Sequence, residues 1–198
     1  MDVADWNARY ASTDLVWSAE PNRFVREIVE PWPAGRAIDV ACGEGRNAIW
    51  LAERGWTAEG IDFSDVAIDK ARRLADGRGV AVDFRVVDAT TDPLPAVHDL
   101  VLLCYLQLPH DEIAAAVANA VPGLAPGGAL LFIAHALDNL AHGVGGPQSP
   151  DVLYTPEQIA ALAVEHGLTV ERAEHVLRPV DTPDGTKDAI DLVLIARR

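Results

Sequence analysis

The hydrophobic positions of the chain change their spacing repeatedly after residue 36. Short continuous apolar runs, typical of strands buried on both faces, alternate with segments whose apolar residues recur at helical spacing. This regular alternation predicts a parallel β-sheet covered by helices on both faces. The predicted strands lie at 37–40, 57–61, 80–87, 98–104 and 129–133, the last after a turn at Pro126-Gly127-Gly128, and the predicted helices lie at 47–53, after Ser64 as N-cap, and around 113–120.

The C-terminal part has a different pattern. Thr155-Pro156-Glu157-Gln158 has the form of a capping box with proline at the first helical position, and Gly167 is expected to end that helix. Two strands, at 169–177 and 189–196, follow with no helical segment between them. We therefore expect them to pair antiparallel as a hairpin, joined by a linker at 179–188.

Residues 1–34 precede the first strand and are rich in tryptophan. Helical spacing predicts helices at 2–10 and 22–30, with an irregular segment at 12–21. This N-terminal leader is either packed permanently on the domain or acts as a lid that closes over a ligand and excludes water. The remaining residues, 35–198, are predicted to form the core of alternating strands and helices, so that 1–198 make one domain.

Composition and charge disfavour several classes of partner. The formal net charge of −14 disfavours a nucleic-acid partner, because phosphate-backbone binding depends on clustered lysine and arginine. Neither a polybasic run nor an apolar run of membrane-spanning length is found in the sequence, and its acidic first residues are unlike a signal peptide. Two cysteines, Cys42 and Cys104, do not make a disulfide scaffold. We expect a cytoplasmic protein with no membrane partner, present as a monomer or homodimer.

The stretch at 37–48 combines a strand, a glycine turn and a helix N-terminus. Backbone N–H groups at such a turn can meet a ligand, and glycines lack the Cβ atom that would keep a cofactor away from the main chain. Glu44, between Gly43 and Gly45, is expected to be exposed. Arg46 either pairs with a bound carboxylate or the leader, or is a solvated helix residue.

Carboxylates fall at the ends of three predicted strands. Asp39 lies inside the first strand, Asp62 ends the second and Asp88 ends the third. Ligands of open parallel sheets bind outside these carboxyl ends. Asp62 comes about 20 residues after the glycine turn, a position from which its carboxylate could bind the two hydroxyls of a ribose. Asp88 alone is equally well explained as a turn or N-cap residue.

Residues 43–48 also fit the G-x-G-x-x-A pattern of dinucleotide-binding proteins, so an NAD(P)-dependent oxidoreductase is an alternative. The chain lacks room for a second catalytic domain, and it ends in the expected hairpin. In addition, the Asp39 carboxylate would oppose a pyrophosphate but could hold an ammonium group. These features favour a ligand with both a ribose and a cationic end, such as an amino acid–nucleoside conjugate.

The run Asp39-Val40-Ala41-Cys42-Gly43-Glu44-Gly45-Arg46-Asn47 resembles the first motif of the class I S-adenosylmethionine-dependent methyltransferases. With the tryptophan-rich leader, it is similar to the tellurite-resistance and thiopurine-type branch. The resemblance implies a Rossmann-like seven-stranded sheet of order 3-2-1-4-5-7-6, whose last strand is antiparallel. Asn47 or Ala48 replaces the frequent third glycine of this motif, which the branch tolerates.

The resemblance also implies the cofactor, S-adenosylmethionine, with S-adenosylhomocysteine as product. Asp39 and the turn backbone would lie near the methionine moiety, Asp62 on the ribose and Phe63 on adenine. The amino edge of adenine would be read by Asp88 with Ala89, and Cys104 with Tyr105 would line the methionine region. The full cofactor set implied is Asp39, Ala41, Gly43, Gly45, Arg46, Asp62, Phe63, Ser64, Asp88, Ala89, Cys104, Tyr105 and Trp17.

Methyl transfer to a small molecule requires mainly positioning, and a base only if the acceptor is protonated. The catalytic candidates are Tyr105, His110 and His135; Gln107 is a further acceptor-side candidate, as is His142 in a glycine-rich loop at 139–151 that could act as a lid. His166 is expected to be structural. Since His135 and His142 lack recognisable ligand spacing, we expect no metal.

Several methyl acceptors are compatible with this interpretation: a thiol, an oxyanion, a hydroxyl or an amine. Besides the oxidoreductase, a non-enzymatic cofactor-binding module is the remaining alternative. A nucleic-acid methyltransferase is disfavoured further because Cys104-Tyr105-Leu106-Gln107 stands where an Asn-Pro-Pro-Tyr-type motif would follow strand four.

Overall fold

The computed structural model describes residues 2–91, 94 and 97–198. These residues form a seven-stranded sheet of order β3-β2-β1-β4-β5-β7-β6, in which β1 to β5 are parallel and β7 pairs antiparallel with both neighbours. The predicted sheet order and the antiparallel hairpin are confirmed. The strands are β1 Arg36–Val40, β2 Thr57–Asp62, β3 Asp83–Val86, β4 His98–Cys104, β5 Leu124–His135, β6 Thr169–Thr182 and β7 Gly185–Arg197.

Helix starts follow the capping signals in the sequence. Ser64 accepts a hydrogen bond from the N–H of Ala67, and Thr155 forms the predicted capping box with Gln158. Both predicted leader helices are present, separated by the irregular segment. The helices are α1 Val3–Ala11, α2 Arg23–Val29, α3 Arg46–Glu53, α4 Asp65–Arg78, α5 His110–Ala120, α6 Asn139–His142 and α7 Pro156–Glu165.

The apolar core lies on both faces of the sheet. Along β4, Val101 and Leu103 pack into a cluster with α5 and α7, whereas Leu100 and Leu102 pack with α2 and α3. This alternation follows from the two-residue period of a strand, and it explains why β4 reads as one continuous apolar run. The predicted helical layers on both faces are thereby confirmed.

Three predicted boundaries are wrong. The strand expected at 80–87 covers only Asp83–Val86. The linker expected at 179–188 is mostly strand, because β6 continues to Thr182 and β7 begins at Gly185. Pro179 is tolerated there because β6 is an edge strand, where a missing N–H leaves no partner unpaired. The turn expected at 126–128 lies inside β5, where the backbone of Gly127 and Gly128 exchanges hydrogen bonds with Arg198.

Among the residues that the structure describes, none of the helices has the length and apolar character needed to cross a membrane.

Candidate functional site

The glycine turn joins β1 to α3 at the carboxyl edge of the sheet. Ala41, Gly43 and Gly45 all have positive φ angles, of 57°, 55° and 79°. A left-handed alanine is uncommon and marks a backbone held by its surroundings. The turn is fastened by hydrogen bonds from Cys42 N to the Ile61 carbonyl (2.9 Å) and from Gly45 N to the Cys42 carbonyl (3.0 Å).

Asp62, at the end of β2, is held against this turn. Its Oδ2 accepts a hydrogen bond from Gly43 N and its Oδ1 one from Ser64 N, each at 2.9 Å. Burial raises the pKa of this carboxyl, while the two backbone donors oppose that shift. Each carboxylate oxygen has a second lone pair, so the group can still accept hydrogen bonds from a ligand diol.

Asp39 lies fully buried beneath the start of α3. Burial raises its pKa to about 7, although the positive Arg46 and hydrogen bonds from Asn47 and Ala48 favour the charged form. One carboxylate oxygen, Oδ2, has no hydrogen-bond partner among the described residues. An unpaired buried acceptor of this kind is expensive for the fold and suits a cationic ligand.

Asn47 occupies the position where the motif usually has its third glycine. Its side chain is buried, accepts a hydrogen bond from Asn22 N at 2.9 Å and also reaches Asp39. The residue therefore ties the leader to β1. A glycine could not make this link.

The leader lies directly over the glycine turn. A Cβ atom on Gly43 would stand 2.8 Å from the Tyr10 hydroxyl and 3.8 Å from Cδ1 of Trp17. Tyr10 is buried, and burial together with the nearby Asp62 carboxylate raises its pKa. Arg9 stacks between the Trp6 and Trp17 rings, 5.1 Å from each centroid.

The prediction that Glu44 is exposed is wrong. Its side chain is 3% exposed and accepts hydrogen bonds from Val16 N (3.0 Å) and Trp17 N (3.1 Å). Lys70 pairs with it at 3.2 Å and also donates to the carbonyls of Tyr10 and Thr13. The irregular leader has backbone groups that no helix or strand satisfies, and Glu44 and Lys70 satisfy them.

We predict that Glu44→Gln loosens the leader. The change removes the charge that pairs with Lys70 and weakens acceptance from Val16 N and Trp17 N. Amide exchange of these two residues should accelerate at least tenfold, equivalent to about 1.4 kcal/mol. Hydrogen exchange checks this, with Glu30→Gln as control because that carboxylate pairs with Arg54 at the surface. Unchanged protection in Glu44→Gln would contradict it.

A second polar cluster lies where β4, β5, β6 and β7 meet. Asp191 is fully buried; its Oδ2 accepts from the Tyr105 hydroxyl (2.7 Å) and Arg178 Nε (2.8 Å), and its Oδ1 lies 2.8 Å from His135 Nδ1. Burial pushes the pKa of Asp191 upward, but hydrogen bonds from His135, Arg178 and Tyr105 outweigh it, so the pKa is lowered. The Tyr105 and His135 rings lie 4.7 Å apart.

Cys104 links the two clusters. It ends β4, beside β1 on one side and β5 on the other. Burial raises its pKa to about 12, and the charges of both Asp39 and Asp191 contribute in the same direction. The glycine turn and the Tyr105–His135–Arg178–Asp191 cluster are therefore neighbours at one edge of the sheet.

The other predicted cofactor residues surround Asp62. Val87 N donates to the Asp62 carbonyl at 3.0 Å, which brings Asp88 alongside. The Asp88 carboxylate accepts from Thr90 N and Oγ1, so it does close a turn. Phe63 is half-buried next to Asp62, the Ala89 carbonyl accepts from Asn119 Nδ2, and the buried Ser64 donates to Asn7 of α1.

The predicted catalytic residues do not all come together. Tyr105 and His135 share the Asp191 cluster, and Gln107 adjoins it by accepting from His135 N at 2.9 Å. His110 is an exposed residue at the start of α5, and its ring contacts Tyr154 instead. His142 is exposed at the end of α6.

Several residues of the site escaped the sequence reasoning: Lys70, Arg178 and Asp191. One of them carried a usable signal. Asp191 interrupts an apolar strand just as Asp39 does, and a lone carboxylate in a buried strand requires a partner. Within the described part of the chain, His, Cys, Asp and Glu nowhere gather in a group of three or more that could hold a metal ion.

Comparison with known proteins shows the fold and relates part of the chain to a domain family. Residues 37–128 match a family model described as a methyltransferase domain. A 2-heptyl-1-hydroxyquinolin-4(1H)-one methyltransferase of Mycobacteroides abscessus is 39% identical over 75 residues, covering 36% of this chain and 33% of that protein. A demethylmenaquinone methyltransferase of Thermus thermophilus is 35% identical over 123 residues, covering 61% and 54%.

A ribosomal RNA small subunit methyltransferase C of Alcanivorax borkumensis also matches, 32% identical over 110 residues that cover 51% of this chain and 32% of that protein. The chain thus spans between about a third and about half of the length of these curated relatives.

Solved structures share the fold over nearly the whole chain. One, described as "Conversion of a Disulfide Bond into a Thioacetal Group during Echinomycin Biosynthesis", superposes with a TM-score of 0.79 at 23% identity, covering 99% of this chain and 92% of that one. TehB from Haemophilus influenzae gives 0.73 at 13% identity, covering 98% and 65%. Residues 37–128 thus match a methyltransferase domain, and the seven-stranded sheet has the Rossmann-like strand order of the methyltransferase fold.

Proposed function

We propose that the protein is an S-adenosylmethionine-dependent methyltransferase acting on a small molecule. The observation that carries this proposal is the buried Asp39 oxygen without a partner, next to a glycine turn fastened by Asp62. A ligand with an ammonium group would satisfy Asp39, and its ribose hydroxyls would meet Asp62. The cofactor, when bound, supplies an activated methyl group on a sulfonium sulfur.

The chain's own residues fit the rest of that ligand. Phe63, beside Asp62, offers a half-buried ring for adenine, with Asp88 and Ala89 alongside. Tyr10 and Trp17 cover the turn and would exclude water from it. The remaining residues assigned to the cofactor are Ala41, Gly43, Gly45, Arg46, Ser64, Cys104 and Tyr105.

A nicotinamide-dependent oxidoreductase is disfavoured by the same geometry. The Asp39 carboxylate is buried at the turn and would repel a pyrophosphate. A purely cofactor-binding module would not require a buried polar cluster beside the turn. The Asp191 cluster supports turnover instead, because it holds His135 at the same edge of the sheet as the glycine turn.

The acceptor is proposed to be a small molecule. The net charge of −14 opposes a nucleic-acid substrate, although one relative acts on ribosomal RNA. Two other relatives are named for a 1-hydroxyquinolinone and for demethylmenaquinone. We extend the proposal to a cytoplasmic protein in monomeric or homodimeric form.

The test is calorimetric binding of S-adenosylmethionine, S-adenosylhomocysteine and NADH to the full chain. We expect the first two to bind and NADH not to bind. Asp62→Ala should weaken S-adenosylmethionine at least 100-fold, because hydrogen bonds to a charged group contribute about 1.5–3 kcal/mol each. Asp69→Asn is the control, since that carboxylate pairs with Arg72 at the surface of α4.

Thermal unfolding of each variant checks that loss of binding is not loss of fold. Binding of NADH alone, or no binding by a folded wild-type protein, would overturn the proposed function. Equal binding by wild type and a folded Asp62→Ala variant would show that the ribose site lies elsewhere.

A further inference from the structure

We infer that Asp191 is a positioning residue that holds His135 as a general base, and that the methyl acceptor is a neutral hydroxyl compound. This inference rests on the proposed function and deepens it, because it selects one acceptor class among those left open. The two residues face each other as a direct cross-strand pair of β5 and β7. Their side chains meet through His135 Nδ1 and Asp191 Oδ1 at 2.8 Å.

The His135 ring is fixed on three sides. The Tyr105 ring lies against it, tilted by 37° with a centroid distance of 4.7 Å, and a Cβ on Gly146 would come within 3.1 Å of its Cγ. Asp191 holds the Nδ1 edge, and the side chain as a whole is only 15% exposed. Among the described residues, the ring nitrogens make no hydrogen bond other than this one, so Nε2 is free for a substrate.

The surroundings of Asp191 decide which nitrogen carries the proton. Tyr105 and Arg178 both donate to Oδ2, so the carboxylate is held ionised and Oδ1 remains for the histidine. An ionised carboxylate only accepts hydrogen bonds. Nδ1 must therefore donate, and Nε2 of the neutral ring keeps its lone pair. Asp191 would also stabilise the imidazolium that forms when Nε2 takes a proton.

This arrangement is useful only for an acceptor that must lose a proton. In the transfer, the hydroxyl oxygen forms a bond to the methyl carbon as the carbon–sulfur bond breaks and its electron pair stays on sulfur. The hydroxyl proton passes to Nε2 of His135. A thiolate or an oxyanion needs no such base.

The charges of the cluster point the same way. Arg178 donates from Nε to Asp191 (2.8 Å) and to the Tyr105 hydroxyl (3.2 Å). The charges of Asp191 and Arg178 therefore compensate each other. Because the charge of Arg178 is already balanced, an uncharged hydroxyl compound fits the cluster better than an anionic acceptor does.

The first test needs no catalysis. In ¹⁵N-histidine-labelled protein without cofactor, NMR of the neutral His135 ring should show it protonated at Nδ1 and unprotonated at Nε2. Asp191→Asn should abolish this tautomer preference, because an amide can donate as well as accept. Asp188→Asn, an exposed carboxylate on the same strand, is the matched control. An Nε2-protonated tautomer in the wild type would overturn the inference.

The second test compares a phenol with a small thiol as acceptor. His135→Gln and Asp191→Asn should lower kcat for the phenol by about 100-fold or more, the usual worth of a general base, and change thiol turnover only a few-fold. Equal losses for both acceptors would show a merely structural role and overturn the inference. If the wild type methylates neither compound, the inference is decided by the tautomer of His135 found in the first test.

The two proposals fail separately. S-adenosylmethionine binding by His135→Gln, measured by calorimetry, reports on the cofactor site and not on the His135–Asp191 pair, the proposed dyad. Retained binding together with the wrong tautomer would discard the dyad and leave the proposed function in place. Lost binding in a folded His135→Gln variant would discard the dyad assignment too, since the histidine would then serve the cofactor.

Discussion

Asp39→Asn is expected to make the protein more stable than the wild type above pH 7. Burial raises the pKa of Asp39 to about 7 in the fold, whereas an unfolded aspartate titrates near pH 4. Between these values the folded state holds a proton that the unfolded state has lost. The contribution of Asp39 is therefore fully present below about pH 4 and falls by about 1.4 kcal/mol per pH unit as the pH rises towards 7.

The measurement is the free energy of unfolding by denaturant at about pH 5 and about pH 8, for wild type and variant. Only the difference between the two proteins isolates Asp39, since Asp191, whose pKa is lowered, contributes stability that is lost at acid pH instead. Asp76→Asn, at an exposed carboxylate of α4, should leave the wild-type pH dependence intact. A variant with the same pH dependence as wild type would contradict the prediction.

The same substitution should weaken S-adenosylmethionine about 10- to 100-fold, the usual worth of a hydrogen bond to a charged group. Binding would then explain why Asp39 is present although it lowers stability at physiological pH and leaves its Oδ2 unpaired among the described residues. Such opposition between stability and function is expected at a binding site. A stabilised variant with unchanged affinity would show that the oxygen serves no ligand.

Local pattern was enough to predict most of the architecture. The β-α alternation and the apolar run of β4 predicted parallel strands with two buried faces, and both are found. The complete strand order came from resemblance to a family, because periodicity does not say which strands are neighbours. The extended β6–β7 hairpin was missed because Pro179 and the polar residues near it read as a linker, whereas an edge strand tolerates both.

The predicted residues of the site lie at the glycine turn and at the ends of strands. Asp39, Gly43 and Asp62 lie where the turn and the strand ends placed them. Glu44 was misjudged because its partners belong to a leader segment 27 or 28 residues away with no regular structure of its own. Asp191 meets Tyr105 across 86 residues, a contact fixed by sheet topology and by no local pattern.

Gly45→Ala is expected to destabilise the fold by about 2–5 kcal/mol. Gly45 has a φ of 79°, and a left-handed conformation costs an L-residue about 1–2 kcal/mol. Its Cβ would also lie 2.6 Å from Cζ of Phe84 and 2.9 Å from Cβ of Ala71, both buried. Overpacking of this kind adds a cost of about 1–3 kcal/mol. Denaturant unfolding without cofactor measures the sum.

Gly79→Ala separates the two causes. Gly79 ends α4 with a φ of 70°, and nothing lies within 4 Å of a Cβ built there, so only the backbone cost of about 1–2 kcal/mol applies. Equal losses in the two variants would contradict the packing argument. A larger loss at Gly45 would show that this glycine is required by α4 and β3, whereas Gly43 faces the Tyr10 hydroxyl. Of Gly43 and Gly45, only Gly43 would then allow close approach from the side of the leader. The turn would combine a packing requirement at Gly45 with a binding requirement at Gly43.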